Sequence, residues 1–243
     1  MKQTPKRTFI LTLCASAAVA IFAAVPASAA SSSSSSTTTA NQARLQRIIS
    51  RGNNEIDRRL DTLNTLSGKI ASATKLSSSD ASTLNNTVST DISELTSLKT
   101  QLDADTSVSS AVTDAQSIIN DYRVYALVVP QVDLVKTADD QQTAEAKLVT
   151  FSGNLSTRIT AEQQKGVNIT ALQATLSDLN SKEAAAKSIS SAIESSVIGL
   201  VPSDYNSNHS VLSGDRDQLK TAQADIAQAV ADGKSIIAQL PSS

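Results

Sequence analysis

The sequence predicts an all-α protein, an elongated antiparallel bundle of about five to six long helices. Three observations lead to this prediction. From residue 40 onward, apolar side chains recur every three or four positions, which is the spacing of one face of a helix. No segment alternates apolar and polar residues as a half-buried strand does. Short segments of Ser, Thr, Asp and Gly separate the periodic runs, and such short connections make neighbouring helices antiparallel.

Residues 1–30 have the features of a secretory signal peptide. Three basic residues precede an uncharged, mostly apolar run at 9–25, and Pro26 with the Ala-Ser-Ala triplet after it provides a small-residue cleavage site. We expect cleavage after Ala29 or Ala30 and a secreted or cell-surface location for the rest of the chain. The alternative is an uncleaved membrane anchor, because the run at 9–25 reaches the lower length limit of a helix that spans a bilayer.

The composition argues against several classes of function. The only cysteine, Cys14, lies in the leader, so the mature chain has no disulfide, no thiolate nucleophile and no cysteine-ligated metal. Without the leader, 18 Lys and Arg face 23 Asp and Glu, a net charge of about −5, and the two signs are mixed along the chain. This pattern provides neither a basic patch for nucleic acid nor a basic helix face for anionic lipid. Contact with a membrane is therefore expected only through an uncleaved leader.

The segment 31–39 is an unbroken Ser/Thr tract. It has no apolar side chain to bury and cannot offset the entropy lost by an ordered backbone, so we predict a disordered linker. The alternative is an O-glycosylated stalk or a tether across a cell wall. The helical bundle domain is expected to occupy residues 40–243, with a subdivision near 125–130 as one alternative.

The first predicted helix has the clearest apolar stripe and is about 35 residues, or about 50 Å, long. Gly52 and Arg59 occupy the two steps at which the 4-3 alternation of a coiled coil lacks an apolar side chain. The other members of the stripe are Leu45, Ile49, Ile56, Leu63, Leu66, Ile70 and Ala73.

Capping residues and prolines place the remaining helices. Ser77 and Asp80 have the spacing of a capping box, so a second helix begins there and ends within 103–106. A third helix runs from about Ser107 to Pro130, a fourth from Pro130 to Gly166, a fifth from Asn168 to Gly199 and a sixth from about Ser207 to Leu240. The pattern allows two spectrin-like three-helix units, made of helices one to three and four to six, or one mixed bundle.

The sequence NDYRVYALVVPQVD, at 120–133, differs from the rest of the chain because its apolar side chains cover every face of a helix. Pro130 lacks a backbone N–H, so the helix must end or kink near it. One interpretation is that the stretch is buried between helices. The other is an exposed apolar patch at the kink that binds a partner. The candidate interaction or kink residues are Tyr122, Arg123, Tyr125, Leu127, Val128 and Pro130.

Residues suited to catalysis are sparse. His209 is the only histidine and lies in a polar loop, so we interpret it as solvated. The acidic residues fall on predicted polar faces, and Asp139-Asp140 is expected to be a solvated pair within a polar gap of the fourth helix. No loop has the oxygen ligands and turn glycine of a calcium site. We therefore expect no catalytic residue, no metal and no cofactor.

Three segments carry a resemblance to other proteins. They are RGNNEIDRRLDTLNTL at 51–66, LTSLKTQLDADT at 95–106 and YRVYALVVPQVDLV at 122–135. The chain resembles, over most of its mature length, a group of uncharacterised secreted helical proteins from bacteria with very small genomes. The resemblance implies export and a helical fold, and it implies no active site.

The expected function is that of an exported, non-enzymatic structural or interaction protein at or outside the cell surface, such as a spacer, an adhesin-like protein or an envelope-associated protein. Its partner would be another protein, an envelope component or a second copy of the chain. The alternative is a soluble extracytoplasmic protein that holds a small ligand between helices. A concave apolar cavity with a few convergent polar groups would favour this alternative. A cluster of perturbed carboxylates in such a cavity would point to an enzyme.

Overall fold

The computed structural model describes the backbone of residues 31–241 and the side chains of residues 37–241. The predicted leader, at 1–30, lies outside the described residues. The chain divides into two compact units, Met1–Ala40 and Asn41–Ser243, and all of the packing described below belongs to the second. Of the described helices, none combines the length and apolar character needed to cross a bilayer.

Helices account for nearly all of the described backbone, which contains no strand, and the all-α prediction is confirmed. Five of the helices are long and two are short. Their bounds are α1 Ser31–Ser72, α2 Ser78–Asp103, α3 Val108–Asn120, α4 Val129–Gln164, α5 Thr170–Val197, α6 Pro202–Ser207 and α7 Asp215–Gln239. A π-helical segment at Val124–Val128, called the π-turn below, precedes α4.

Helix α1 begins at Ser31, so it includes the Ser/Thr tract for which the sequence predicts disorder. The side chains at 37–44 are all exposed, and Leu45 is the first buried apolar residue of α1. Burial therefore does not explain the helical backbone at 37–44. Extension of an existing helix requires no new nucleation, because each added residue contributes one hydrogen bond to a turn that is already formed.

The predicted helix starts agree with the structure at two serines and disagree at the sixth helix. Ser77 and Ser107 each accept a hydrogen bond on Oγ from the backbone N–H three residues later, at 3.1 Å in both cases. The predicted sixth helix is instead the short α6 and the longer α7. The chain turns between them and reaches α7 through Gly214, whose φ of 89° suits glycine.

Hydrogen bonds between helices show their directions. Asn53 and Asp57 of α1 bond Asp103 and Lys99 of α2, so these two helices are antiparallel. Helices α4 and α5 are also antiparallel, because Gln142 bonds Glu194 and Glu145 bonds Ser190. By contrast, α7 is parallel to α4: Gln141 of α4 bonds Leu219, and Phe151 packs at Gly233.

Two apolar cores lie along this arrangement. The first is formed by α1, α2, α3, the π-turn, the first part of α4 and the last turns of α5, with Leu219 of α7. The second is formed by the remainder of α4 and α5 and by α7. The cores meet along α4 between Ala138 and Leu148, not at 125–130, where the sequence suggested a subdivision. Because α4 and α5 contribute to both cores, the bundle is not two independent three-helix units.

The break before α4 lies further from Pro130 than the sequence suggested. Helix α3 already ends at Asn120, and Arg123 has a left-handed backbone with φ 46°. The N–H groups of the last three residues of the sequence YALV, at 125–128, then converge on the Arg123 carbonyl at 2.7 to 3.4 Å. Pro130 lies in the first turn of α4, as predicted.

Candidate functional site: an acidic cleft beside the π-turn

A cleft of about 490 Å³ lies between α2, the π-turn and the connection from α5 to α6. One wall is a face of α2 from Thr83 to Glu94, and the opposite wall is the segment 198–202. Leu127 and Val128 of the π-turn and Gln131 of α4 lie between these walls. The volume falls in the range of small-molecule sites, which is about 300 to 1,000 Å³.

The left-handed turn at Arg123 positions one wall of the cleft. Its guanidinium donates to the Asn206 side chain at 2.6 Å and to that of Asn120 at 3.2 Å, and it lies 5.5 Å from the ring centre of Tyr205. Asn206 in turn donates to the Asn120 carbonyl at 2.8 Å. These contacts hold α6 against the end of α3 and offset the cost of a left-handed arginine. The segment 198–202, which leads into α6, is thereby placed opposite α2.

Gln131 closes the end of α5 and leaves one acceptor unused. Its Nε2 donates to the carbonyl oxygens of Val197, Ile198 and Leu200 at 2.8, 3.0 and 3.1 Å. The last carbonyls of a helix lack intrahelical donors, so these bonds satisfy a helix end within the protein. Gln131 is only 1% exposed, and its Oε1 has no hydrogen-bond partner among the described residues.

Asp91, on α2, also lines the cleft and is buried. Its side chain is 8% exposed, and its buried Oδ2 has no hydrogen-bond partner in the described part of the chain. Burial raises the pKa of Asp91 to about 7, and the Glu94 carboxylate adds to the shift. The same cause raises the pKa of the adjacent Tyr122 to about 12, with Glu94, Asp121 and Asp91 as further contributors.

The lining combines an apolar wall, three carboxyl groups and five neutral polar side chains, those of Thr83, Asn86, Thr87, Thr90 and Gln131. Asp91, Glu94 and Asp121 are acidic, and among the described residues no Lys, Arg or His lines the cleft. The apolar part consists of Leu127, Val128, Ile198, Leu200, Val201 and Pro202. The cleft therefore favours a ligand with hydrogen-bond donors and an apolar portion.

A second acidic group lies where the two cores meet. Carboxylate oxygens of Asp80, Asp139 and Glu194 lie within 4.8 Å of one another, a spacing that a metal ion could bridge. Each carboxylate already accepts a hydrogen bond: Asp80 from the Ser77 hydroxyl, Asp139 from the Ser77 N–H at 2.7 Å and Glu194 from Gln142. These bonds join α2, α4 and α5, so the group has a structural role without a metal.

The expectation of a solvated Asp139-Asp140 pair is wrong for Asp139, which is only 4% exposed. Burial raises its pKa to about 6; the Ser77 N–H acts in the opposite direction, and Asp80 and Glu194 raise it further. Asp140 remains at the surface and pairs with Lys136 at 3.0 Å.

The structure separates the six residues of the predicted interaction or kink region. Leu127 and Val128 are buried and line the cleft, whereas Tyr122 is buried beside it. Arg123 contacts Asn120, Asn206 and Tyr205. Tyr125 is 48% exposed and lies under the Arg59 guanidinium, 5.1 Å from it. Pro130 is half-buried at the start of α4.

Asp91 and Gln131 were not predicted from the sequence, although the spacing of the apolar residues in α2 indicates that Asp91 is buried. Asp91 completes a 4-3 alternation in α2 with Leu84, Val88, Leu95, Leu98 and Leu102. A polar residue at such a position is either a surface residue in a broken stripe or a buried functional candidate. The neighbouring aliphatic residue, Ile92, is only partly buried.

Comparison of the chain with known protein families, curated proteins and solved structures gave no match. The resemblance to secreted helical proteins of small-genome bacteria stays a prediction.

Proposed function

We propose that the protein is exported and acts outside the cytoplasm as a non-enzymatic binding protein that holds a small ligand in the acidic cleft. The observation that supports this most directly is the cleft itself, which has a volume of about 490 Å³ and combines the apolar wall at 198–202 with the carboxyl groups of Asp91, Glu94 and Asp121. Concave sites of this size, with an apolar surface and a few polar groups, are the usual form of small-molecule sites. The leader prediction supports export.

Binding is favoured over catalysis by the state of the other polar groups. A raised carboxyl pKa could serve acid–base chemistry, but catalysis needs a second group in a complementary role. The hydroxyls of Thr83 and Thr87, on α2, donate to backbone carbonyls of their own helix at 3.0 and 3.2 Å. Thr90 also lines the cleft, but among the described residues no His or Lys lines it as a base beside these hydroxyls.

A ligand screen with a matched pair of variants tests this function. Thr87→Trp places a large ring on the wall of the cleft. Thr175→Trp is the control, because Thr175 is also half-buried on a helix and bonds its own backbone at 3.1 Å but does not line the cleft. Compounds that raise the melting temperature of the wild type should fail on Thr87→Trp and act on Thr175→Trp. A metabolite library that yields no compound with this dependence would contradict the proposal.

A second candidate is self-association through an apolar groove between α1 and α3. The groove has a volume of about 320 Å³ and is bordered by Arg51 and Glu55, one turn apart on α1. These two residues have opposite charges, and Glu55 also pairs with Arg58 and Arg59 of its own helix. Ile119, at the rim, is 49% exposed.

Sedimentation distinguishes this second candidate from the first. Ile119→Ser should convert a dimer to a monomer, whereas Ile237→Ser, on α7 and 44% exposed, should leave the dimer intact. A wild-type monomer at high concentration would rule out self-association and leave the ligand function unaffected.

A further inference from the structure

The segment 201–211 includes part of one wall of the cleft and the whole of α6. Val201 and Pro202 line the cleft. None of the described side chains in this segment is buried, and the half-buried ones are Pro202, Tyr205 and Val211. A segment that buries no apolar side chain opens at a low cost in free energy. The segment is called the flap below.

The residues on either side of the flap are held more firmly. The Leu200 carbonyl accepts a hydrogen bond from Gln131 Nε2 at 3.1 Å, and the Leu200 side chain packs against the first core. Leu212, on the other side, packs against the same core. The flap therefore lies between two anchors, and it can move outward while both anchors stay in place.

The backbone of the flap is hydrogen-bonded within itself. The N–H groups of Asp204, Asn208 and Val211 donate to carbonyls three or four residues earlier, at 2.9 to 3.1 Å. The Asp204 carboxylate accepts from the Val201 N–H at 2.9 Å. None of these bonds depends on the rest of the chain, so the flap keeps its shape when it moves as a unit.

Asn206 attaches the flap to the bundle. Beyond the turn that joins the flap to 212–214, this side chain makes all of its hydrogen bonds to other described parts of the chain: it accepts from Arg123 Nε at 2.6 Å and donates to the Asn120 carbonyl at 2.8 Å. Both bonds are exposed to solvent. Water replaces such bonds when they break, so each holds the flap only weakly.

The backbone of Arg123 has a left-handed conformation, which disfavours any residue with a Cβ atom and suits glycine. Its guanidinium contacts two residues of the flap, the Asn206 side chain and the ring of Tyr205, whose centre lies 5.5 Å away. The arginine side chain therefore offsets the backbone cost only while the flap is closed. Glycine at 123 would keep the backbone of the turn and lose these contacts.

We propose that the flap opens and closes one wall of the cleft while the bundle stays folded, and that Arg123 is the latch that holds it closed. This inference rests on the proposed ligand-binding function, because it makes the latch a control on entry to the cleft. A ligand that touches both Val201 and the α2 wall joins the flap to the bundle, so binding favours the closed flap.

Access of a thiol reagent to the cleft tests the latch. In a chain with Cys14→Ser, the thiol introduced by Val128→Cys lies in the cleft, at a position only 2% exposed. Val135→Cys is the matched control, since Val135 is fully buried in the first core and does not line the cleft. N-ethylmaleimide reacts with each thiol when it is exposed. Arg123→Gly should speed the reaction about tenfold in the Val128→Cys chain and leave it unchanged in the Val135→Cys chain.

A change on the flap itself should have the same effect. Asn206→Ala removes both hydrogen bonds that attach the flap to the bundle, so it should speed the reaction of the Val128→Cys chain at least as much as Arg123→Gly does. Ser207→Ala lies on the same short helix, and its hydroxyl bonds only the Ser203 carbonyl, at 2.8 Å. This control should react at the rate of the parent chain.

The latch and the ligand function can fail separately. Equal acceleration of the Val128→Cys and Val135→Cys chains would show that Arg123→Gly loosens the whole bundle, and it would overturn the latch. Unchanged rates in both chains would overturn it as well. Either result leaves the ligand function to the library screen with Thr87→Trp and Thr175→Trp. A screen without a compound that depends on the cleft would contradict the ligand function and leave the labelling rates unaffected.

Discussion

At the scale of single residues, the carboxamide of Gln131 acts as a cap for another helix. Its nitrogen donates to three carbonyl oxygens at the end of α5, and its oxygen is buried without a hydrogen-bond partner among the described residues. Gln141 lies on α4 where the two cores meet, and its side chain makes one such bond instead of three. Its Nε2 donates at 2.8 Å to the Leu219 carbonyl. Because Leu219 lies within α7, that carbonyl can also accept from a backbone N–H of its own helix.

Gln131→Met should therefore cost more stability than Gln141→Met. The first change removes the Gln131 donor from the Ile198 and Leu200 carbonyls, whereas the Val197 carbonyl still accepts from the Leu200 N–H. A buried polar group that loses its partner costs about 1 to 3 kcal/mol. The second leaves a carbonyl that the α7 ladder already serves, so we expect about 1 kcal/mol or less. Urea denaturation of both variants measures the difference. Equal losses would show that Gln131 does not act as the cap of α5.

At the scale of helices, glycines mark where two elements approach closely. A Cβ on Gly52 of α1 would collide with the Leu102 side chain of α2, and a Cβ on Gly233 of α7 would collide with the Phe151 ring of α4. Gly68 of α1 and Gly153 of α4 have no atom within 4 Å of the corresponding position. The sequence placed Gly52 in the apolar stripe, and the structure shows that its small size permits the contact there.

Alanine at these four positions should divide them into two pairs. Gly52→Ala and Gly233→Ala should each lower the free energy of unfolding by about 1 to 3 kcal/mol, because extra atoms strain a packed contact. Gly68→Ala and Gly153→Ala should raise it by about 0.5 to 1 kcal/mol, because alanine loses less entropy in a helix. Thermal unfolding of the four variants measures these changes. A higher free energy of unfolding for Gly52→Ala would mean that α1 and α2 can separate at little cost.

The π-turn should depend on its buried side chains and not on its exposed tyrosine. Leu127 and Val128 are almost fully buried, so the double change Leu127→Ser and Val128→Ser should lower the melting temperature markedly; loss of a large buried side chain alone costs about 2 to 5 kcal/mol. Tyr125→Ser, in the same turn and half exposed, should have a small effect. Unchanged melting of the double variant would contradict a core role, and it would indicate docking only if self-association or surface attachment were lost as well.

Helix positions could be predicted from sequence because they depend on local signals. Ser77, Ser107 and Pro130 act within a few residues of their own position, and all three begin helices as predicted. The left-handed turn at Arg123 could not be predicted, since it is held by Asn206, 83 residues away in sequence. The cleft could not be predicted either, because Asp91 and Gln131 are polar residues and a search for apolar spacing does not mark them.

At the scale of the whole molecule, buried carboxyls in both halves of the bundle couple stability to pH. Asp91 lies in the first core and Asp139 where the cores meet, and burial raises their pKa values to about 7 and about 6. Burial also raises the pKa of Glu145, which accepts a hydrogen bond from Ser190 at 3.1 Å. All three shifts have the same sign, so their effects on stability add.

The bundle should be more stable at pH 5 than at pH 8. Between about pH 4 and the raised values, the folded chain holds protons that the unfolded chain has released, so stability falls as pH rises, by up to about 1.4 kcal/mol per pH unit for each group. The full penalty is present above pH 7, where Asp91 is ionised in the folded protein too. Urea denaturation at pH 5, 6.5 and 8 measures the slope. Asp91→Asn should flatten it up to pH 7 and Asp139→Asn only up to pH 6, whereas Asp178→Asn should leave it unchanged. Stability that rises with pH in the wild type would mean that these carboxyls are solvated, and the acidic cleft would then lose its buried acceptor.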